Sequence, residues 1–168
     1  MSDTAKKIEF TQLIESNQGI IHKVCRIYTD DTMAHNDLFQ EIVLQLWKSY
    51  DSFKGDSKFS TWMYRVGINT AITLFRKKSR KPTIDRLDKH HFHIASDTKD
   101  ENLEFQVQML KKAINQLNDI ERALVLLYLE ELPYREIADT MGITEVNARV
   151  KMNRIKKKLK EMLNPYRP

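Results

Sequence analysis

Apolar residues recur at helical spacing through most of the chain, in two blocks separated by a stretch where the period is lost. In the first block Ile20, Ile21, Val24 and Ile27 mark one helix. A second is read from Asn36, a residue type that caps helices, with Phe39, Ile42, Val43 and Leu46 on its inner side. After the turn-rich Tyr50–Phe59, Ser60 is read as the cap of a third, whose inner side holds Tyr64, Gly67, Ile68, Ala71, Leu74 and Phe75. This block runs from Ile8 to about Arg80 and ends in the basic cluster Arg76-Lys-Lys-Ser-Arg-Lys81. From Pro82 to Glu104 no period holds, and Asp85, Asp88, Asp97, Asp100, Glu101 and Glu104 outweigh Arg86, Lys89 and Lys99, the pattern of an acidic linker. The second block, Leu103 to Leu163, predicts a helix to about Leu117 and another over Asp119–Glu131. Ile114, Leu117, Ile120, Leu124 and Leu127 form its core stripe. The expectation is an all-α protein: two small helical domains, residues 1–81 and 105–168, joined by a linker over 82–104.

The end of the second block is more specific. Pro133 suits the first position of a helix, where its missing N–H has no partner, and Tyr134, Ile137, Ala138 and Met141 follow at helical spacing. Gly142 can take the left-handed conformation that ends a helix, and Thr144 can cap the next, with Glu145 in its first turn. Two helices around a short Gly-containing turn make a helix-turn-helix, which places its second helix in a DNA major groove. Along that helix Ala148, Met152, Ile155 and Leu159 form an inner stripe. Val146, Val150, Asn153, Arg154 and Lys157 point outward, with Arg149 on the flank. Arginine and asparagine make forked bonds to guanine and adenine edges, and valines pack on thymine methyls. A solvated basic face, with Lys156, Lys157, Lys158 and Lys160, would show the same charge.

The outer sides of the first block are also patterned. Asp37, Gln40, Glu41, Leu44 and Lys48 share the outer side of the second helix. A leucine among acidic and amide groups suits a protein contact, although single surface leucines are common. On the third helix Trp62, Arg65, Val66, Asn69, Thr73 and Arg76 are read as outward. An outward tryptophan can stack on an unpaired base while cations hold phosphates. With Tyr50, Phe53 and Phe59 it can equally plug the junction between helices.

Composition narrows the function classes. Of 168 residues, 41% are hydrophobic, enough for a core, and only 4 Gly and 4 Pro favour helix throughout. The net charge of +5 and the pI near 9.2 favour a polyanionic partner. The lone Cys25 lies in an apolar run and is read as a buried thiol, which excludes a disulfide-rich secreted fold. No signal-type segment precedes the first helix, and the longest apolar run, Ala123–Leu129, is too short to insert in a membrane, so a cytoplasmic location is expected. His90, His91 and His93 crowd the linker but lack the spacing of a zinc site, so no metal is expected. No nucleophile–base constellation, phosphate loop or paired catalytic carboxylates appear. The expectation is a protein that is not an enzyme, with no cofactor and no small-molecule substrate.

Two stretches, Asp37-Leu-Phe-Gln-Glu-Ile-Val-Leu-Gln-Leu-Trp47 and Phe59-Ser-Thr-Trp-Met-Tyr-Arg-Val-Gly-Ile-Asn-Thr-Ala71 with the following Arg76-Lys-Lys78, resemble region 2 of bacterial RNA polymerase sigma factors. The helix-turn-helix resembles their region 4. With little between the two, the chain is similar to the small extracytoplasmic-function (ECF) group. The resemblance implies core RNA polymerase and promoter DNA, as duplex and as melted single strand, as partners, and an anti-sigma factor as a further candidate. It implies that Asp37, Gln40, Glu41 and Leu44 dock on the polymerase clamp helices. It assigns the minus-ten element to Tyr50, Phe53, Phe59, Trp62, Arg65, Asn69 and Arg76. The minus-thirty-five element falls to Arg149, Val150, Asn153, Arg154 and Lys157, and the acidic linker would thread toward the polymerase active-site channel. Three departures stand out: Leu117-Asn-Asp for a common Leu-Pro pair, Asn147-Ala-Arg-Val for a small-Thr-Val-basic start, and Gly67 for a commoner alanine. The alternative from a different class is a dimeric helix-turn-helix regulator that acts without polymerase.

Overall fold

The computed structural model describes residues 2–79 and 101–166. All regular structure among them is helical, and the chain divides into two compact units, Met1–Asp88 and Lys89–Pro168.

The first unit is a three-helix bundle. Helix α1, Asp3–Tyr28, starts under Ser2, whose hydroxyl accepts from the Ala5 amide at 3.2 Å. It stops at Thr29, whose extended backbone breaks the ladder and whose hydroxyl donates to the Cys25 carbonyl at 2.6 Å. Helix α2, Thr32–Ser49, is capped by Asp31 through the Ala34 amide at 2.8 Å. The cap is therefore five positions before Asn36. Leu38 joins Ile42 and Leu46 as the fully covered row, while Phe39 and Val43 are only half-buried. A short 3-10 turn, Tyr50–Ser52, leads to α3, Phe59–Ser79, which begins one residue before Ser60. All three helices pack on one another. Their core joins Ile21, Val24 and Cys25 to Ile42 and Leu46 and to Met63, Ile68 and Ala71. Gly67 sits where α3 meets both partners: a Cβ there would stand 3.4 Å from Val24 Cγ2 and 3.7 Å from Ile42 Cγ2. Burial pushes the Cys25 thiol up to about 12, as expected of a structural, unreactive cysteine.

The second unit holds α4, Glu101–Asn115, α5, Asp119–Leu129, α6, Tyr134–Met141, and α7, Glu145–Leu163. Helix α4 begins inside the stretch read as linker. The remainder of that stretch, with His90, His91 and His93, lies outside the described residues. Between α4 and α5 an Asn118–Glu121 capping box closes on both sides, at 2.8 and 3.1 Å. Arg122 turns back to donate to the Asn115 and Leu117 carbonyls at 2.6 and 3.2 Å, satisfying the end of α4. The core stripe holds except at Ile120, in the first turn of α5, which is 38% exposed. Pro133 is the residue before α6 rather than its first, with extended ψ. Gly142 has φ +68°, and the Thr144 hydroxyl accepts from the Asn147 amide at 3.1 Å, the two events that turn α6 into α7. The inner stripe of α7 is Ala148, Met152 and Ile155, with Leu159 half-buried.

Candidate nucleic-acid interface

Along the outer side of α2, Asp37, Gln40 and Lys48 are exposed and Leu44 is 43% exposed. Glu41 is half-buried and accepts from Gln45 Nε2 at 3.0 Å, which holds its carboxylate against the helix. Beside it, a cleft of about 310 Å³ opens between α2 and α3, lined by Glu41, Gln45 and Ser49 on one wall and Val66, Asn69 and Thr73 on the other. Glu41 of the acidic stripe and Asn69 and Thr73 of the outer row of α3 therefore border one depression. That row is Arg65, Asn69, Thr73 and Arg76, all exposed as the period requires.

Trp62 departs from that row. It is 7% exposed, not outward. Periodicity puts Trp62 in the outer row, but the loop before α3 folds back over this turn and covers it. Its indole lies 5.1 Å from Phe53, 5.4 Å from Phe59 and 6.4 Å from Tyr50. Phe53 and Phe59 also meet edge to face at 5.6 Å. Tyr50 continues the cluster into α1 and α2, lying 5.2 Å from Phe10 and 6.5 Å from Trp47. The buried indole offers no open face for a base; the half-buried Tyr50, Phe53 and Phe59 bring the cluster to the surface. Burial and a bond with Glu9 push the Tyr50 phenol above its ordinary value, which keeps it neutral.

The first turns of α1 brace this loop, which the sequence did not show. Lys6 pairs with Asp51 at 2.6 Å and stands 4.8 Å over the Trp47 ring, and Phe10 packs on Trp47 at 5.0 Å. The polar pattern of Met1–Lys7 carries no mark of that contact. A second pair it missed is His22 Nδ1 and His35 Nε2, 2.9 Å apart, with the Phe39 ring tilted against His22 at 4.7 Å. Only the packing of α1 on α2 brings these two together. They do not make a metal centre: no group of three or more ligating side chains occurs among the described residues.

The outer face of α7 matches its reading. Val146 is 72% and Val150 42% exposed, and Arg149, Asn153, Arg154 and Lys157 are exposed around them. Arg149 is tied to Glu145 at 3.0 Å and lies over Tyr134. Lys158 faces away and pairs with Glu121 of α5 at 3.1 Å, so its charge serves the unit's own packing. Among the described residues no helix is long and apolar enough to cross a membrane.

The capped helix-turn-helix of the second unit is the fold of a class of DNA-binding proteins. Comparison with known proteins makes the class particular. The Sigma-70 region 2 family matches residues 13–81 and the Sigma-70, region 4 family residues 107–159. The ECF RNA polymerase sigma-E factor of Escherichia coli K12 is 30% identical over 140 residues, 77% of this chain and 73% of that protein. The Haemophilus influenzae sigma-E factor is 25% identical over 141 residues, 77% and 74% of the two chains. Among solved structures, the sigma factor RpoE from Bartonella quintana, seen with the anti-sigma factor NepR, aligns with a TM-score of 0.74 at 20% identity, over 95% of this chain and 99% of that one. CnrH, seen with the cytosolic domain of CnrY, gives 0.67 at 16% identity, over 95% and 90%. The chain belongs to the sigma-70 family, in its ECF group: it binds core RNA polymerase and directs it to specific promoters, where transcription begins.

Proposed function

We propose a division of this work among named residues. Asp37, Gln40, Glu41 and Leu44 dock on the polymerase clamp helices; Leu44 supplies apolar contact at the centre of a polar stripe. Arg65, Asn69 and Arg76, with Tyr50, Phe53 and Phe59 as stacking edges, engage the minus-ten element and its melted strand. Trp62 serves that site from beneath, seating the loop rather than touching a base. Arg149, Val150, Asn153, Arg154 and Lys157 read the minus-thirty-five duplex. The observation that supports this reading is the cleft between α2 and α3, where Glu41 of the stripe and Asn69 of the α3 row line opposite walls. Opening of the promoter can then begin where polymerase holds the factor.

The chain acts as a specificity subunit with no catalysis of its own, in the cytoplasm, where its polymerase and promoters are. An anti-sigma factor is a fitting partner, because the Bartonella quintana RpoE described above was seen with one. Membership of the sigma family does not favour the dimeric regulator, which needs no polymerase-docking stripe.

Run-off transcription with core polymerase tests the whole reading, using a genomic promoter library with and without this protein. Promoter-dependent transcripts that appear only with the factor are expected, and their absence would overturn it. The division of labour has its own test. Glu41→Arg is expected to weaken polymerase binding by about tenfold, leaving the α3 row intact. Asn69→Ala is expected to leave polymerase binding unchanged and to reduce permanganate-detected strand opening. Equal loss of polymerase binding in both variants would refute the assignment.

A further inference from the structure

The flank of the recognition helix carries an arrangement that its spacing did not mark. Arg149 donates from Nη2 to Glu145 Oε1 at 3.0 Å, and its guanidinium carbon lies 4.5 Å over the Tyr134 ring. The two anchors come from different elements. Glu145 lies one turn earlier on α7, and Tyr134 is the first residue of α6. Tyr134 is itself seated: it is half-buried and its ring tilts against Tyr128 at 6.5 Å, with Lys156 standing 4.2 Å over Tyr128. An arginine on an open helix face samples many rotamers and must lose them when it binds a base. Here a carboxylate and a ring restrict it before DNA arrives, and the guanidinium keeps its remaining donors for a base edge.

We infer that Tyr134 and Glu145 are specificity-determining positioning residues that act through Arg149, aiming its fork at one base pair of the minus-thirty-five duplex. This rests on the proposed role of α7 as the duplex reader. Glu145 has a second consequence, because a carboxylate on the DNA side repels phosphates. It lowers affinity for every sequence while narrowing the choice among them. A residue that merely held the fold together would move affinity and selectivity in the same direction.

The test uses holoenzyme formed from core polymerase and the full chain, on promoters with a fixed minus-ten element and a randomised minus-thirty-five element. Bound promoters are selected and sequenced. Arg149→Ala is read first and identifies the base whose preference depends on Arg149. If no position changes, the minus-thirty-five role of Arg149 itself fails, and this inference with it. Given such a position, Tyr134→Leu and Glu145→Gln are each expected to lower its preference about fivefold, leaving other positions unchanged. Tyr134→Phe, which keeps the ring, is expected to retain the preference. Glu145→Gln is expected to raise total promoter affinity as it lowers selectivity. Combining Arg149→Ala with Tyr134→Leu should lose no more than Arg149→Ala alone. Unchanged preference in Glu145→Gln, or a uniform loss at all positions, overturns the inference. If Tyr134→Leu melts early, Glu145→Gln, a change on the exposed face of α7, carries the decision by itself.

Discussion

The His22–His35 pair is a place where one proton changes the balance of a whole unit. At 2.9 Å one imidazole must donate and the other accept, an arrangement lost when both rings are charged. Burial, then the neighbouring His22, then Arg26, hold the His35 ring below its ordinary 6.5. The sign follows from linkage: unfolded His35 takes up a proton at higher pH than folded His35 does. The stability it contributes is therefore full above pH 6.5 and is lost as pH falls through the depressed folded value. Thermal unfolding at pH 7.5 and 5.5 should show a larger drop in Tm for the native chain than for His35→Gln, which cannot titrate; equal drops would remove the pair from the account. Trp62 shows the same dependence on neighbours. Its helical phase was legible, but not the loop that folds over it, so the sequence placed it outward and the structure encloses it. Trp62→Ala is therefore expected to cost about 3–5 kcal/mol of stability, seen in urea unfolding, before any effect on promoter opening is read. Exposed Asn69, two turns further along α3, should leave unfolding unchanged when made alanine.

Elements whose ends are set by local chemistry were the most legible. Gly142 and Thr144 mark the α6–α7 turn because their roles need only their own backbone and side chain. Helix α2 was harder, since Asp31 and Asn36 are both capping residue types and only the structure shows that Asp31 holds the cap, through the Ala34 amide. Two element-scale changes test this kind of reasoning. Glu131, between α5 and α6, has φ 58°, a left-handed conformation that glycine enters without the Cβ penalty. Glu131→Gly should raise stability by about 0.5–1 kcal/mol, whereas the same change inside α5 would lower it. Gly67 presents the opposite case. It lies inside α3, and an added methyl would make ordinary van der Waals contact with Val24 and Ile42. Gly67→Ala gains helix propensity without a clash and should stabilise the first unit by up to about 1 kcal/mol in denaturant unfolding. A loss in that variant would show that α3 approaches its partners more closely than the contact distances allow.

At the scale of the molecule, the proposed function joins two promoter contacts through residues 80–100. The acidic stretch is read from composition alone and lies outside the described residues; as a tether, its effect is a matter of reach. Residues 80–100 can span at most about 70 Å when fully extended. As a plain tether, the segment raises the effective concentration of the second unit at its element once the first is bound, and that concentration falls roughly as the −3/2 power of length. Doubling the segment with an uncharged Gly-Ser insert should therefore weaken promoter binding by holoenzyme only about threefold. Cutting it should cost on the order of a hundredfold or more, because each unit must then bind by itself. The acidic side chains add a second term if they occupy the polymerase channel, where they would stand in for nucleic acid. Replacing Asp85, Asp88, Asp97 and Asp100 with asparagine leaves length unchanged and removes only that term. A simple tether predicts the same affinity and the same initiation rate in that variant. A channel-bound segment predicts weaker binding to core polymerase at low salt, with the difference from the native chain shrinking as ionic strength rises. Gel-shift titrations of both linker variants at two salt concentrations separate length from charge: a threefold effect confined to the insert assigns the segment to reach alone.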